Sequence, residues 1–406
     1  MKTFILFYLL LLTTISAGAQ HTTRFRVKAG PFARENSVIQ TVFVPADTTA
    51  LALIEITDGK RTPVPVNIME GGLCWVMSGY TPAGAEREYE LLKTAELPPS
   101  GMQATIRDGA VVLQEGPQAI LQYNFNTVSP PPGTDTVYNR SGFIHPLWAP
   151  NGAVLTQIFP NAGHRHHMGI WNPWTHTLFE GKETDFWNVQ KKQGKVRFSE
   201  LLGVINGGAS CGFAAHQEHV AFLADGTTKT AINEVWVVQA FPATHGGSRR
   251  EWDFTSILTP ASDSGITLLQ YRYGGGFGLR ATPAFTATTS QVLTSEGKTR
   301  KDADSTRARW VKITGNTPAG KAGMLIMNYP GNYDSPEALR VWPENMEGGE
   351  LMLNYSPTRM TSWFLKPEQT YLLKYRVMVY NGDITATEAE AAWQEFAHPP
   401  DVIVEH

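Results

Sequence analysis

The sequence has 406 residues, room for two domains or for one large β-domain with an appendage. Charged residues make up 17% and hydrophobic ones 42%, which argues against disorder and long solvated helices and for a sheet-rich fold with a sizeable core. A net charge of −3 supplies no basic field to hold a polyphosphate backbone, so nucleic acid is not an expected partner.

The chain opens with Met1-Lys2, an unbroken apolar run over residues 4–12, and the small residues Ala17-Gly18-Ala19 before Gln20. The run is too short to span a bilayer and reads as a signal peptide over residues 1–19, with export to a periplasm or beyond. No later stretch is apolar for long enough to predict a membrane span in the mature chain. Residues 23–27, 37–44, 50–56 and 87–92 have strand patterns, punctuated by Asp58-Gly59 and Gly71-Gly72, and predict a small β-sandwich over residues 20–97. The Pro-rich stretch 97–101 reads as a linker. From residue 103 to about 400 strand follows strand, at 111–114, 119–124, 153–159, 232–239, 250–258, 266–273, 323–327 and 372–380. One helix is expected near the end, where Thr385 and Glu388 form a capping box and Ala389, Trp393 and Phe396 share a face. The fold class is therefore all-β: a large antiparallel β-sandwich of the supersandwich type, with a short C-terminal helix, preceded by a small β-sandwich domain. Cys74 and Cys211 form no zinc or redox motif and are expected to be buried free thiols.

The histidines are unevenly spread: of 11, five are His145, His164, His166, His167 and His176. If residues 163–171 are extended, His164 and His166 point to one face and Arg165 and His167 to the other. Three readings remain open. A divalent metal site would use His164 and His166 with a third ligand, His145 or a carboxylate such as Glu183 or Asp185. A metal-free cleft would use histidine as general acid or base beside Arg140 or Arg165. The third reading has these histidines stitching neighbouring loops together through satisfied hydrogen bonds. The breaks around His145 and before His164 place all three candidate ligands at strand ends, so His145, His164 and His166 are expected to converge near Arg140.

Four of the 11 tryptophans, Trp148, Trp171, Trp174 and Trp187, lie in the same region. Rigid aromatic faces beside polar donors suit a pyranose ring. Tyr138 and Asn139 precede Arg140 and would add a phenol and an amide. Arg272 and Arg280 flank Gly274, Gly275 and Gly276, where no helix follows, so a nucleotide-binding loop is not indicated and a close backbone approach is. Asp334, Arg340, Glu344 and Glu347 lie in a loop-rich stretch, and no Gly-x-Ser-x-Gly elbow is present.

The segments YNRSGFIHPLWAPNGAVLTQIFP, HRHHMGIW, DFWN and GGGFGLR resemble the PmoA-like family of exported bacterial proteins, which carry the label methane oxygenase or that of a domain of unknown function. The resemblance runs from about residue 103 to 380, and the preceding small domain, ending YTPAGAEREYELL, also fits. Relatives tend to carry an acidic residue just before the first histidine of HRHH. Here Gly163 stands there, so no neighbour in sequence supplies a carboxylate to orient His164. The resemblance implies an exported, aromatic-rich β-sandwich similar to proteins of bacterial glycan utilisation, and the family label implies a histidine-ligated metal oxidoreductase.

The expected function is an exported carbohydrate-active protein that cleaves a glycosidic bond of an oligosaccharide by hydrolysis or β-elimination. His164, His166 and His167 would supply acid/base or metal-ligand groups, and Arg140 and Arg280 charge stabilisation. Trp171 would be a stacking platform, with Tyr138, Asn139, His145, Trp174 and Trp187 lining the substrate. The alternatives are a non-catalytic glycan-binding protein and the metal oxidoreductase.

Overall fold

The computed structural model describes residues 23–44, 51–69, 71–93, 101–160 and 163–405. The expected signal peptide and most of the expected linker lie outside the described residues. The fold is an all-β sandwich in which every strand pairing is antiparallel, and among the described residues it contains one α-helix. No helix among them is long and apolar enough to cross a membrane.

The N-terminal unit packs a five-stranded sheet on a three-stranded one. Alternate residues of the strands turn inward, so Phe25, Val27, Leu53 and Tyr89 of the first sheet meet Ile39, Leu73 and Trp75 of the second. The five-stranded sheet is not built from the N-terminal segment alone. Its edge strand is Asp401–Glu405, which pairs with Thr23–Lys28 through Val27 and Val402. Two polar side chains tie this unit to the rest of the chain: Asn67 Nδ2 donates to the Ser210 carbonyl at 2.9 Å, and Gln40 Nε2 donates to Gln239 Oε1 at 3.2 Å.

The main body packs two eight-stranded sheets face to face, with a small four-stranded sheet closing one end of their shared core. One large sheet runs, from edge to edge, through Ala338–Val341, Met352–Ser356, Gly278–Arg280, Ile170–Trp171, Phe143–Leu147, Gln118–Asn124, Ala110–Glu115 and Met102–Arg107. The other is built on the long strands Gly194–Ile205, Cys211–Phe222, Thr228–Ala240, Arg249–Pro260 and Tyr371–Asn381, continuing through Gly320–Asn328, Trp310–Thr317 and Ser290–Thr294. Helix Ala386–Ala397 covers the outer face of this second sheet, with Ala389, Trp393 and Phe396 packed on Trp310, Met327 and Tyr380. Its expected capping box is present between Thr385 and Glu388. Cys74 and Cys211 are buried and free, and burial pushes both thiols up to about 12.

Four readings change. Of residues 266–273 only Ile266–Leu268 is a strand. Residues 153–159 form only isolated bridges, at Val154 and Thr156. Residues 163–168 are a turn rather than a strand. The strands Gly194–Ile205 and Cys211–Phe222 were not apparent from sequence; two register shifts between them break the period of two that a regular strand displays.

Candidate functional site

The site grows from strand alternation in the first large sheet. Ile144, Ile170, Leu279, Leu353 and Leu339 face the shared core. Their neighbours must face the other way. Register therefore sets Trp171, Gly278, Asn354 and Arg340 side by side across the outer face. A Cβ on Gly278 would lie 2.5 Å from Cε2 and Nε1 of Trp171, so the indole occupies the room that a side chain there would take.

Over this face lies the turn that carries the histidines. The His167 amide donates to the His164 carbonyl at 2.9 Å, closing a β-turn across Arg165 and His166. The turn gathers all three rings: centroids are 5.6 Å apart for His164 and His166, 5.1 Å for His164 and His167, and 4.7 Å for His166 and His167. The extended reading would have separated His167 from the other two. Arg165 turns aside to Thr134, donating to its hydroxyl at 3.3 Å.

A carboxylate does reach His164, from a distant loop. Glu347 Oε1 lies 3.1 Å from His164 Nδ1, within ion-pair range. A Cβ on Gly163 would lie 2.1 Å from Glu347 Oε2, and Gly163 has a φ of +53°. Glycine at the position before His164 thus admits the carboxylate that no sequence neighbour provides.

Behind the turn is a continuous stack. His167 lies on Trp171 at 4.8 Å, Trp171 on Trp187 at 5.3 Å, and the Arg140 guanidinium over Trp187 at 4.0 Å. Both faces of Trp171 are covered and it is 2% exposed, so it offers no free face to a sugar, contrary to expectation. A second cation, Arg280, lies over Trp342 at 4.4 Å and forms an ion pair with Glu350.

A small cleft opens between the three imidazoles and residues 271–273, with Thr175, Asn188 and Asn354 at its sides. Tyr271 and Tyr273 are half-buried and Arg272 is exposed. The Tyr273 hydroxyl accepts from Trp342 Nε1 at 3.1 Å.

Burial lowers the basicity of all three histidines. His166 is pushed down to about 3, first by burial and then by His164, Arg140, Arg280 and Lys191, all positive when charged. His167 is held well below its ordinary value by burial and then by His166, Arg280, His164 and Arg140. His164 is also lowered by burial, but there Glu347 acts in the opposite direction. Burial brings Arg140 down to about 10, against the pull of Asp185. The cleft floor is therefore a layer of neutral imidazoles backed by two buried guanidinium cations.

Of the residues singled out in the sequence, His164, His166, His167, Trp171 and Trp187 line the cleft, and Arg140 and Arg280 stand behind it. His145 does not join them: its Nδ1 lies 2.9 Å from Thr156 Oγ1, and burial lowers it to about 4. Trp174 belongs to the main core, edge-on to Trp363. Tyr138 and Asn139 sit on a 3-10 turn packed against Val189–Lys191, outside the cleft lining.

The metal set drawn from His145, His164 and His166 does not assemble. Glu183 pairs with His176 at 3.2 Å, and Asp185 accepts from the amides of Trp187 and Asn188 and from Lys191. Among the described residues no group of three or more His, Cys, Asp or Glu side chains is arranged to hold a metal ion. The imidazoles that do cluster sit in the field of Arg140, Arg280 and Lys191, which opposes a dication.

Tyr271, Tyr273, Trp342 and Asn354 were not singled out. Asn354 carried a signal, a lone amide in the apolar run from Leu351 to Tyr355. Its Nδ2 donates to the Gly275 carbonyl at 2.7 Å, the close backbone approach that the glycine run suggested.

No curated protein matches this sequence. Among solved structures, the chain is similar to an alpha-mannosidase from Enterococcus faecalis V583, at 9% identity and a TM-score of 0.45, covering 95% of this chain and 46% of that one. It is similar to a protein in the glycosyl hydrolase family 38 from Enterococcus faecalis, at 9% identity and a TM-score of 0.46, covering 95% and 47%. The chain thus spans just under half the length of these two proteins. A galactose mutarotase related enzyme from Lactobacillus acidophilus is similar at 9% identity and a TM-score of 0.32, covering 70% of this chain and 99% of that one. The family model described as a family of unknown function, DUF6807, matches residues 110–394, most of the chain, and the protein belongs to that family.

Proposed function

We propose that this protein is a carbohydrate-active enzyme that cleaves a glycosidic bond, with His164 as the proton-accepting group. The observation that carries the reading is the His164–Glu347 pair at the cleft. Glu347 lies at ion-pair distance from Nδ1, so a proton carried there faces the carboxylate and Nε2 serves as the acceptor nitrogen. The imidazole is neutral at neutral pH and ready to take a proton. Once charged, it is stabilised by the carboxylate beside it, the logic of a base oriented by an acid. His166 and His167 stay neutral and present nitrogens for hydroxyl groups, and the half-buried ring of Tyr271 replaces Trp171 as a face for a sugar.

The lining favours elimination over hydrolysis. A paired-carboxylate glycosidase needs two carboxyl groups flanking the bond. No Asp or Glu is among the residues that line this cleft. Glu347 is taken up by His164, and Glu350 by Arg280 and Gln157.

The test is turnover on a panel of polysaccharides, read both as new reducing ends and as the ultraviolet absorbance of an unsaturated product. The proposal expects both signals with the natural chain and neither with His164→Ala, which leaves circular dichroism unchanged. Reducing ends without the unsaturated product would make the enzyme a hydrolase. Binding without turnover would make it a glycan-binding protein, and unaltered turnover in His164→Ala would remove His164 from the mechanism.

A further inference from the structure

We infer that the ligand of this cleft is an acidic sugar whose carboxylate is seated by Arg272, an inference that rests on reading the cleft as a carbohydrate site. Three independent observations converge on an anion.

The first is Arg272 itself. It is exposed at the cleft, with its guanidinium carbon 5.3 Å from the ring centre of Tyr273 and 6.0 Å from that of Tyr271. Its side chain has no hydrogen-bond or ion-pair partner among the described residues. The neighbouring arginines are anchored: Arg340 and Arg359 share Asp304 at 2.9 and 3.1 Å, and Arg280 holds Glu350. Arg272 is therefore a cation positioned by two aromatic rings and left without an anion.

The second is the state of the nearby carboxylates. Asp185 is committed to donors of its own loop, Glu350 to Arg280 and Gln157, and Glu347 to His164. None of them pairs with Arg272.

The third is a surplus of donors. Arg140 Nη1, Arg280 Nε and Nη1, and Trp187 Nε1 are buried with no acceptor. Buried donors are normally paired, so these N–H groups behind the imidazoles remain open to an acceptor, although Glu350 pairs with Arg280 and Asp185 lies near Arg140.

A carboxylate fits the proposed chemistry better than another anion. Arg272 would neutralise it and so acidify the C–H on the adjacent carbon, C5 of a uronic acid. His164 Nε2 takes that proton. The electron pair of the broken C–H bond forms the C4=C5 double bond, and the C4–O glycosidic bond breaks. The leaving oxygen takes the proton from the His164 imidazolium. Atoms and charge balance with no water and no oxidant, and the products are an unsaturated uronate and a new hydroxyl end.

The experiment measures binding by calorimetry with uronic-acid oligosaccharides, with the same oligosaccharides after reduction of their carboxyl groups, and with sulfated neutral oligosaccharides of equal length. The natural chain is compared with Arg272→Met. The expected result is uronate binding that exceeds binding of the reduced counterpart by about tenfold or more, weakens with salt, and loses that preference in Arg272→Met. Equal binding of uronate and reduced sugar would overturn the acidic-sugar inference while leaving the carbohydrate reading in place. A preference for the sulfated sugars would overturn the carboxylate assignment. Binding of none of them would overturn both the inference and the reading it rests on.

Discussion

Replacing Gly278 by alanine tests the architecture of the site without any substrate. Gly278 lies in a strand and has no positive φ, so alanine imposes no backbone strain. Its cost is steric. The new Cβ would sit 2.5 Å from Cε2 and Nε1 of Trp171 and 3.0 Å from Cδ1, about 1 Å inside ordinary contact. The indole has nowhere to go, because His167 covers one face and Trp187 the other. Overpacking of this kind costs about 1–3 kcal/mol. Splaying the stack forfeits a further ~0.5–1.5 kcal/mol for each aromatic pair that separates. With both pairs lost the expected cost is about 2–6 kcal/mol, and in a chain of this size a fall in Tm of several degrees. Near-ultraviolet circular dichroism should change with it, since the ordered Trp171–Trp187 pair dominates the local environment. Gly203→Ala is the control: that glycine is exposed, and nothing lies within 4 Å of its added Cβ. A Gly278→Ala protein with the Tm and near-ultraviolet spectrum of the natural chain would refute the stacked arrangement and the cleft built on it.

Two further perturbations test other parts of the structure. Glu337 is fully buried, and burial raises its carboxyl to about 8 against the hydrogen bonds from Tyr375 and Asn332, so its contribution to stability is complete below its unfolded pKa near 4.5 and is lost as pH rises toward 8. Glu337→Gln should therefore gain stability relative to the natural chain across that window, by up to ~1.4 kcal/mol per pH unit; urea unfolding showing the same difference at pH 5 and pH 8 would contradict this. Truncation after Pro400 removes strand Asp401–Glu405, the ion pair of Glu405 with Arg26, and the packing of Val402 and Val404, at a cost of about 2 kcal/mol. Amide exchange should speed up in Thr23–Lys28 while the strands of the main body keep their protection, and unchanged exchange in Thr23–Lys28 would show that the N-terminal unit stands without this strand.

Local periodicity and capping made several elements legible in the sequence. Residues 250–258 largely alternate and residues 372–380 form a run buried on both faces, and both lie in the second large sheet. The capping box at Thr385 and the shared face of Ala389, Trp393 and Phe396 marked the helix, because those signals lie within one or two turns of chain. The density of histidine in HRHH also marked a candidate site. What the sequence could not carry was every relation that depends on strand register or loop path. Residues 163–168 form a turn because Gly163 and His164 adopt positive φ, a choice stabilised by Glu347 from more than 180 residues away. Trp171 looked like a platform for a sugar. Register placed it against Gly278, and packing placed Trp187 and His167 over its two faces. Asp401–Glu405 completes the N-terminal sheet through a pairing that spans almost the whole chain. Side-chain type and local period are properties of the chain, legible one segment at a time. Burial, charge environment and the company a histidine keeps are properties of contacts between distant segments, and only the folded structure brings those segments together.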